Sequence, residues 1–499
     1  MRGLLAALMV FALAPLAGLL AHVWLHGGYV AGADGLLVRD QMQYLNWTRQ
    51  AGEHVLIENL YDLAPGPRSF LHPGLLVTGG LYALGASPAV AYLAFKPVAV
   101  VALWAGAKAW CERFLPDVRP RTAAVALALF FASPVAAVVA WTGWGGAGAR
   151  FDFEFLSNEL TSGNYLWGYL FTAVAVGLMP LGLLAFERGA IAWAAVAAML
   201  VSWLQPWQGA TFLLVLLGAE ALRARRAGER LALAPAALVA AAGAAPLLYY
   251  LALSRWDESW ALAGAANELG SWPWWVTVIG LAPLVVPAAT GWRAAPDDFA
   301  GHALRLWPIA VLIVYLQPFG TFPAHALQGL TLPLVVLAFL GAGARMRPWV
   351  LAAFLALMIV PGTVHRALSL RDEVLRERQP FFLTGGERAA LAWLDRAPVA
   401  GGVLAPAYSG PLVPAYTGRE TWIGAGSWTP DYTRRAQLAE RLFAGAVDGA
   451  EARRIVRVSG ARFLFADCHG RRDVTGLLAG AVEPPLRFGC AAVWRVRDL

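Results

Sequence analysis

Charge is scarce in this chain: Asp, Glu, Lys and Arg make up 14% of its 499 residues, and 59% are hydrophobic. The mean hydropathy is +0.56. Soluble domains lie nearer half apolar, so an ordinary soluble protein is excluded. Cysteine is scarcer still. Cys111, Cys468 and Cys490 stand alone and form no metal-ligand pattern. There is no internal repeat and no glycine-rich loop of the kind that cradles phosphate. The 51 glycines fall mostly in apolar runs and turns, where close helix packing explains them. The net charge of +7 is no nucleic-acid signature, because the basic residues form short clusters between apolar runs. Nucleic acid is therefore set aside as a partner.

What the chain has is apolar runs of membrane-spanning length. They cover 3–25, 89–110, 122–141, 165–186, 190–204, 207–222, 231–253, 274–291, 304–317, 327–342 and 348–362. The runs 190–204 and 304–317 are short for a bilayer. The first run is long for a signal peptide and no small-x-small cleavage site follows it, so it reads as an uncleaved helix. Arg2, then Arg113, Arg119 and Arg121, then Arg223, Arg225, Arg226 and Arg230, then Arg345 and Arg347 mark four basic regions. All four fall on one side if the spans alternate, as the positive-inside rule requires for a cytoplasmic face. The fold class expected is therefore an α-helical polytopic membrane protein of about eleven spans. Its membrane module covers 1–383, with outer loops 26–88 and 142–164. The tail, 384–499, alternates helix-like segments (Glu387–Arg396, Pro430–Ala446, Ala450–Val458) with strand-like ones (Val403–Ala407, Ala461–Ala466, Ala492–Val496). That pattern predicts a small α/β domain on the outer face. Cys468 and Cys490 lie beside neighbouring strand-like segments, where an oxidising compartment permits a disulfide.

Three polar constellations interrupt the apolar background. The first loop holds Arg39-Asp40-Gln41-Met42-Gln43-Tyr44. A helix over Gln41–Gln50 would put Asp40 and Tyr44 on one face and leave Met42, Leu45 and Trp47 to dip into the membrane interface. Asp40 followed by Gln43 also reads as a capping box, which would be a purely structural use of the carboxylate. Asp34, in Ala-Asp-Gly, reads as a turn residue. Further along, Arg68 precedes His72-Pro73-Gly74-Leu75-Leu76, which opens an apolar stretch too short to span and suited to an interfacial or re-entrant helix. His72 can bind phosphate or simply mark the helix start. The second loop holds Arg150, Asp152, Glu154 and Glu159. If this stretch is extended, Asp152 and Glu154 share a face, and paired carboxylates serve acid–base work or bind a cation. Gln205-Pro206 and Gln317-Pro318-Phe319 read as helix breaks at the outer face, and His325 and Gln328 begin the tenth span.

These residues resemble the pattern of the GT-C class of polytopic membrane glycosyltransferases, the group that includes protein mannosyltransferases and bacterial aminoarabinose transferases. The class places an Asp on a juxtamembrane helix just after span one, and Asp40 with Tyr44 matches. A His-Pro opening to a second juxtamembrane helix matches His72-Pro73. An acid in the second outer loop is offered by Asp152, Glu154 or Glu159. Tyr416-Thr417-Gly418-Arg419 resembles a recurrent tail motif of bacterial members. The chain departs from the pattern in two places. It has Gln205-Pro206 where relatives carry His-Pro, and His325 or Gln328 where many carry Arg.

The resemblance implies transfer of a sugar from a polyprenyl-phosphate donor to a glycan, lipid or protein acceptor of the cell envelope, at the outer face and among membrane lipid. Asp40 would be the general base, with Asp152 and Glu154 as further catalytic candidates. Arg39, Tyr44, Arg68, His72, Arg150, Glu159, His325 and Gln328 would bind substrate, a basic group among them meeting the leaving phosphate. No cofactor is required, and a divalent cation is compatible with the acids. Two other classes compete: a transporter or flippase of lipid-linked sugars, and a non-catalytic scaffold of envelope assembly. Inverted repeats and midplane charges would mark the transporter, and neither is visible in the sequence.

Overall fold

The computed structural model describes residues 1–64, 66–267, 272–317, 322–341, 346–469 and 473–497. Every apolar run is helical over most of its length. Among the described residues seven helices are long and apolar enough to cross a membrane, or eight if one bent pair is a single span. The protein is a multi-pass membrane protein. The two short runs are the helices Ile191–Leu204 and Phe299–Tyr315. The second begins earlier than its apolar stretch because Asp298 caps it, accepting from the Gly301 N–H at 2.8 Å. The last span, Pro348–Leu375, continues well past its apolar run, with Pro361 inside it.

The chain divides into two compact bodies. The first comprises Met1–Leu13, Lys96–Ala252 and Glu268–Arg371. Here the helices Lys96–Phe114 and Leu170–Glu187 meet backbone to backbone: a Cβ on Gly106 would lie 2.1 Å from the Gly177 carbonyl oxygen. Such small-residue contacts hold spans together where lipid removes the hydrophobic drive. Val118–Phe130 and Pro134–Thr142 form the bent pair, 47° apart. The Ala132 N–H exposed by that break donates to the Met358 carbonyl at 3.1 Å, as an apolar surround requires. Ile191–Leu204 stops at Gln205 and a new helix starts at Pro206, as the Gln-Pro pair predicts. Phe299–Tyr315 likewise stops short of Gln317; Pro318 and Phe319, like Arg345, lie outside the described residues.

One end of this body gathers the basic clusters. Arg113 reaches Glu187 at 2.7 Å and Asp298 at 2.6 Å. Arg223 reaches Glu220 at 2.8 Å and Glu229 at 2.6 Å, and Arg226 reaches Asp297 at 2.9 Å.

The second body comprises Ala14–Phe95, Leu253–Asn267 and Asp372–Leu499. Strand β1 (Tyr29–Val30) pairs antiparallel with β2 (Phe382–Leu383), so the first loop is laced to the segment just before the tail. The tail sheet uses β3 (Val403–Leu404), β4 (Phe463–Ala466), β5 (Leu486–Phe488) and β6 (Ala491–Arg495) in the order β3-β4-β6-β5. The β3–β4 pair is parallel and the other two are antiparallel. Helices Gly385–Arg396, Tyr432–Phe443 and Gly449–Ser459 stand where the sequence predicts them, and a core of Leu404, Trp422, Phe443, Ile455, Leu464 and Trp494 lies within this domain. Cys468 and Cys490 are joined by a disulfide.

The motif Tyr416-Thr417-Gly418-Arg419 has a mechanical use in this body. Gly418 closes the helix Leu412–Thr417 with φ +65°, a conformation that favours glycine. Arg419 donates to the carbonyls of Leu394 (2.7 Å), Ala397 (2.7 Å), Val399 (2.8 Å) and Gly401 (3.1 Å), the unpaired end of the Gly385–Arg396 helix and the turn after it. Tyr416 donates to the Ala31 carbonyl at 2.9 Å, and Arg49 donates to the Tyr416 carbonyl at 2.9 Å. The motif therefore clips the tail to the first loop.

Candidate functional site

In the second body the juxtamembrane helix runs Val38–Glu53, not Gln41–Gln50. Asp40 consequently sits inside the first turn and is not its cap. The cap position is Leu37, with no side-chain capping bond. The exposed N–H groups of Val38 and Arg39 donate instead to the Gln379 amide oxygen, at 2.9 and 3.4 Å. The capping-box reading of Asp40 and Gln43 is thus corrected: a residue 341 positions away, just before the tail, supplies the cap. The interfacial reading of Met42, Leu45 and Trp47 is corrected too, since all three are buried in the protein. Trp47 packs against Phe70 and Trp428, with ring centroids 5.1 and 5.3 Å away, and Thr48 shares a hydrogen bond of 2.9 Å with Thr78 of the helix Pro73–Ala83. The exposed apolar side chains belong to that second helix, at Leu76, Val77 and Leu81, and suit a membrane interface.

Asp40 itself is exposed while Gln41, Met42 and Gln43 beside it are buried. Burial first, and then the Asp40 charge, push the phenols of Tyr44 and Tyr61 well above their ordinary range. Both therefore stay protonated beside a carboxylate. Tyr44 stacks on Tyr92 with ring centroids 5.6 Å apart. Tyr61 is 1% exposed and its hydroxyl has no hydrogen-bond partner among the described residues. Nothing in the local sequence pattern marks Tyr61; its nearness to Asp40 comes from the path of the loop. Asp34 is fully buried in its turn, its N–H donating to Gln41 at 2.9 Å.

The basic groups of this body differ in how far they are neutralised. Arg68 is paired with Glu58 at 2.9 Å. His72 caps the second helix, accepting from the Leu75 N–H at 3.3 Å. Arg39 donates to the Tyr432 hydroxyl at 3.3 Å and to the Arg378 carbonyl, both neutral partners.

The second-loop acids all lie in the first body. Their stretch is a helix, Gly146–Leu160, where an extended strand would have aligned Asp152 with Glu154. Residues two apart on a helix point about 200° apart, so the acids diverge. Glu154 meets His365 at 3.0 Å and Arg150 at 2.8 Å. Burial pushes its carboxyl up, but hydrogen bonds and charge from His365 and Arg150 hold it below the ordinary value. Burial alone pushes Asp152 above its own. Glu159 is 6% exposed and accepts from the Gln328 amide at 2.7 Å, with His325 Nδ1 at 3.0 Å. Gln205 donates in turn to Gln328 (2.8 Å) and to Thr172 (3.0 Å), while Gln208 donates to the His325 carbonyl at 2.8 Å. The structure therefore brings Glu159, His325, Gln328 and Gln205 together, across gaps of up to 169 residues.

His365 and Arg366 are absent from the sequence-derived set. Arg366 is partly buried and acts electrostatically on both Glu154 and Glu159. A signal existed: His365-Arg366 lies within one turn of the end of the apolar run 348–362, on the same helix once that helix is known to continue. Among the described residues no three of His, Cys, Asp or Glu come together as metal ligands.

No family model and no curated protein matches the chain. Solved structures do match in fold. The chain is similar to the oligosaccharyltransferase AglB from Archaeoglobus fulgidus, in complex with an inhibitory peptide and a dolichol-phosphate: TM-score 0.50 at 11% identity, over 94% of this chain and 69% of that one. The arabinofuranosyltransferase AftD from Mycobacteria gives TM-score 0.53 at 15% identity, over 100% of this chain and 40% of that one. ArnT from Cupriavidus metallidurans, bound to undecaprenyl phosphate, gives TM-score 0.50 at 12% identity, over 91% of this chain and 93% of that one. The fold is that of the GT-C glycosyltransferases.

Proposed function

We propose that the protein transfers a sugar from a polyprenyl-phosphate donor to an acceptor at the outer face of the membrane. The observation that carries this reading is Asp40: an exposed carboxylate on an otherwise largely buried juxtamembrane helix, which does not cap that helix. The likeness in fold to AglB, whose structure holds a dolichol-phosphate, and to ArnT, whose structure holds undecaprenyl phosphate, supports the donor class.

In this mechanism the acceptor hydroxyl or amine attacks the anomeric carbon. The bond from that carbon to the phosphate oxygen breaks, the lipid phosphate leaves with the electron pair, and Asp40 takes the acceptor's proton. Tyr44 and Tyr61, kept protonated, remain hydrogen-bond donors beside the base. Arg39, whose described partners are neutral, is the basic group assigned to the leaving phosphate. The first loop and the tail face outward.

The test is Asp40→Asn in reconstituted vesicles. Topology is read separately by labelling Gly66→Cys in intact cells with a membrane-impermeant maleimide, and sugar transfer is followed over a panel of polyprenyl-phosphate sugars. Transfer is expected to fall roughly a hundredfold to ten-thousandfold with unchanged thermal stability. Near-normal transfer by the Asn variant removes Asp40 as the base, and labelling of Gly66→Cys only after permeabilisation removes the topology.

A further inference from the structure

A cavity of about 150 Å³ opens in the first body beside the second-loop helix. Its walls are Phe151, Asp152 and Phe155 from that helix, Tyr315 from the end of Phe299–Tyr315, and Trp272 and Phe322. The helix supplies its three residues because positions three and four apart share a face. Trp272 and Tyr315 lie 27° from parallel with centroids 6.3 Å apart, so two near-parallel aromatic rings stand in the wall. Phe155 closes against Trp272 at 6.0 Å and against Phe322 at 5.2 Å.

Two polar groups interrupt these rings. Asp152 makes no ion pair among the described residues and keeps part of its surface open. The Tyr315 hydroxyl is buried, the side chain 6% exposed, with no hydrogen-bond partner among the described residues. A buried unpaired hydroxyl costs free energy that a ligand's polar group would recover. An acyl chain would fit the rings but would leave both groups unsatisfied. A cavity near 150 Å³ has room for one six-membered ring. Aromatic faces with a few placed polar groups are the usual composition of small-ligand sites.

We propose that this cavity holds a sugar ring, its C–H face on the Trp272 ring and its hydroxyls donating to Asp152 and accepting from Tyr315. The assignment rests on the glycosyl-transfer reading for the source of that ring, which is either the donor or a glycan acceptor. It explains why Asp152 turns away from Glu154: one acid faces the ring and the other is locked to His365 and Arg150.

The test uses the full chain in lipid nanodiscs and a panel of methyl pyranosides and furanosides, read by saturation-transfer NMR. Ring C–H protons of at least one glycoside are expected to receive saturation. Trp272→Ala should weaken that binding about tenfold, and Asp152→Asn, on an open face and safer for folding, by severalfold. No transfer to any glycoside, or binding unchanged in both variants, overturns the proposal. So does equal competition by cyclohexanemethanol, which would assign the cavity to apolar ligands. Displacement by polyprenyl-phosphate sugar but not by polyprenyl phosphate alone identifies the donor ring; displacement by neither identifies the acceptor. Trp272-dependent glycoside binding in a protein that consumes no donor would keep the cavity assignment and remove the transferase reading. Turnover with glycoside binding indifferent to both variants would do the reverse.

Discussion

The two ends of the first body differ in how their most buried carboxylates are held. At the basic end every guanidinium just described meets carboxylates directly: Arg113 has Glu187 and Asp298, Arg223 has Glu220 and Glu229, and Arg226 has Asp297. At the other end the buried Glu159 is held by an amide and an imidazole, with Gln205 behind them. The same side-chain type shows the contrast. Burial pushes Asp298 up, but the Gly301 N–H and Arg113 overcome it and hold the carboxyl low. Asp152, with burial alone acting on it, rises. Charge that is fully matched inside the protein serves stability. Glu159 is held instead by hydrogen bonds from an amide and an imidazole, with no guanidinium bonded to it among the described residues.

The sharpest way to break this contrast is Glu159→Gln. The amide keeps most of the hydrogen bonding, so thermal stability should change little. Loss of a charged hydrogen-bonding group should lower sugar transfer roughly tenfold to a hundredfold. Full transfer by this variant would make the Glu159 network as structural as the basic end.

Arg113→Ala probes the other side. Two carboxylates lose their shared cation, and since the cluster is only partly buried the cost should be about 1–3 kcal/mol. Transfer per folded molecule should stay at the parent level. A variant of parental melting temperature but impaired transfer would overturn the assignment of this end to stability.

The smallest effect concerns Glu154. Its folded carboxyl lies below the ordinary 4.5, so its interactions stabilise fully above that pH and are lost as pH falls through the lower folded value. His365→Gln should shrink this acid-range loss, by less than about 1 kcal/mol because Glu154 is partly solvated. Identical stability profiles of parent and variant between about pH 5 and pH 3 would show that His365 does not hold the carboxylate.

The Asp40 region shows how far local pattern reaches. The sequence places a helix there and an acid near its start, because amphipathic spacing and a first apolar span are local properties. It misplaces the start by a few residues because Gln379 provides the cap, and no local rule announces an acceptor that distant. The same holds for the second loop. Its acids are visible as residues, but alternation reads as strand where Phe151, Phe153 and Phe155 serve a helix with apolar neighbours on several sides. Arg366 is missed because the apolar run ends before the helix does.

The sequence by itself determined the multi-pass helical class, three helices and three strands of the tail, and a helix after the first apolar run with Asp40 near its start. Each follows from hydropathy and periodicity within a window of one element. Only the tertiary structure decided which partners meet: Gln379 with the Val38 and Arg39 amides, Arg419 with four carbonyls, Glu159 with Gln328 and His325. A single hydrogen bond contributes only about 1 kcal/mol. Such pairings leave no imprint on composition, and they are fixed by the packing of whole helices that brings distant residues within reach.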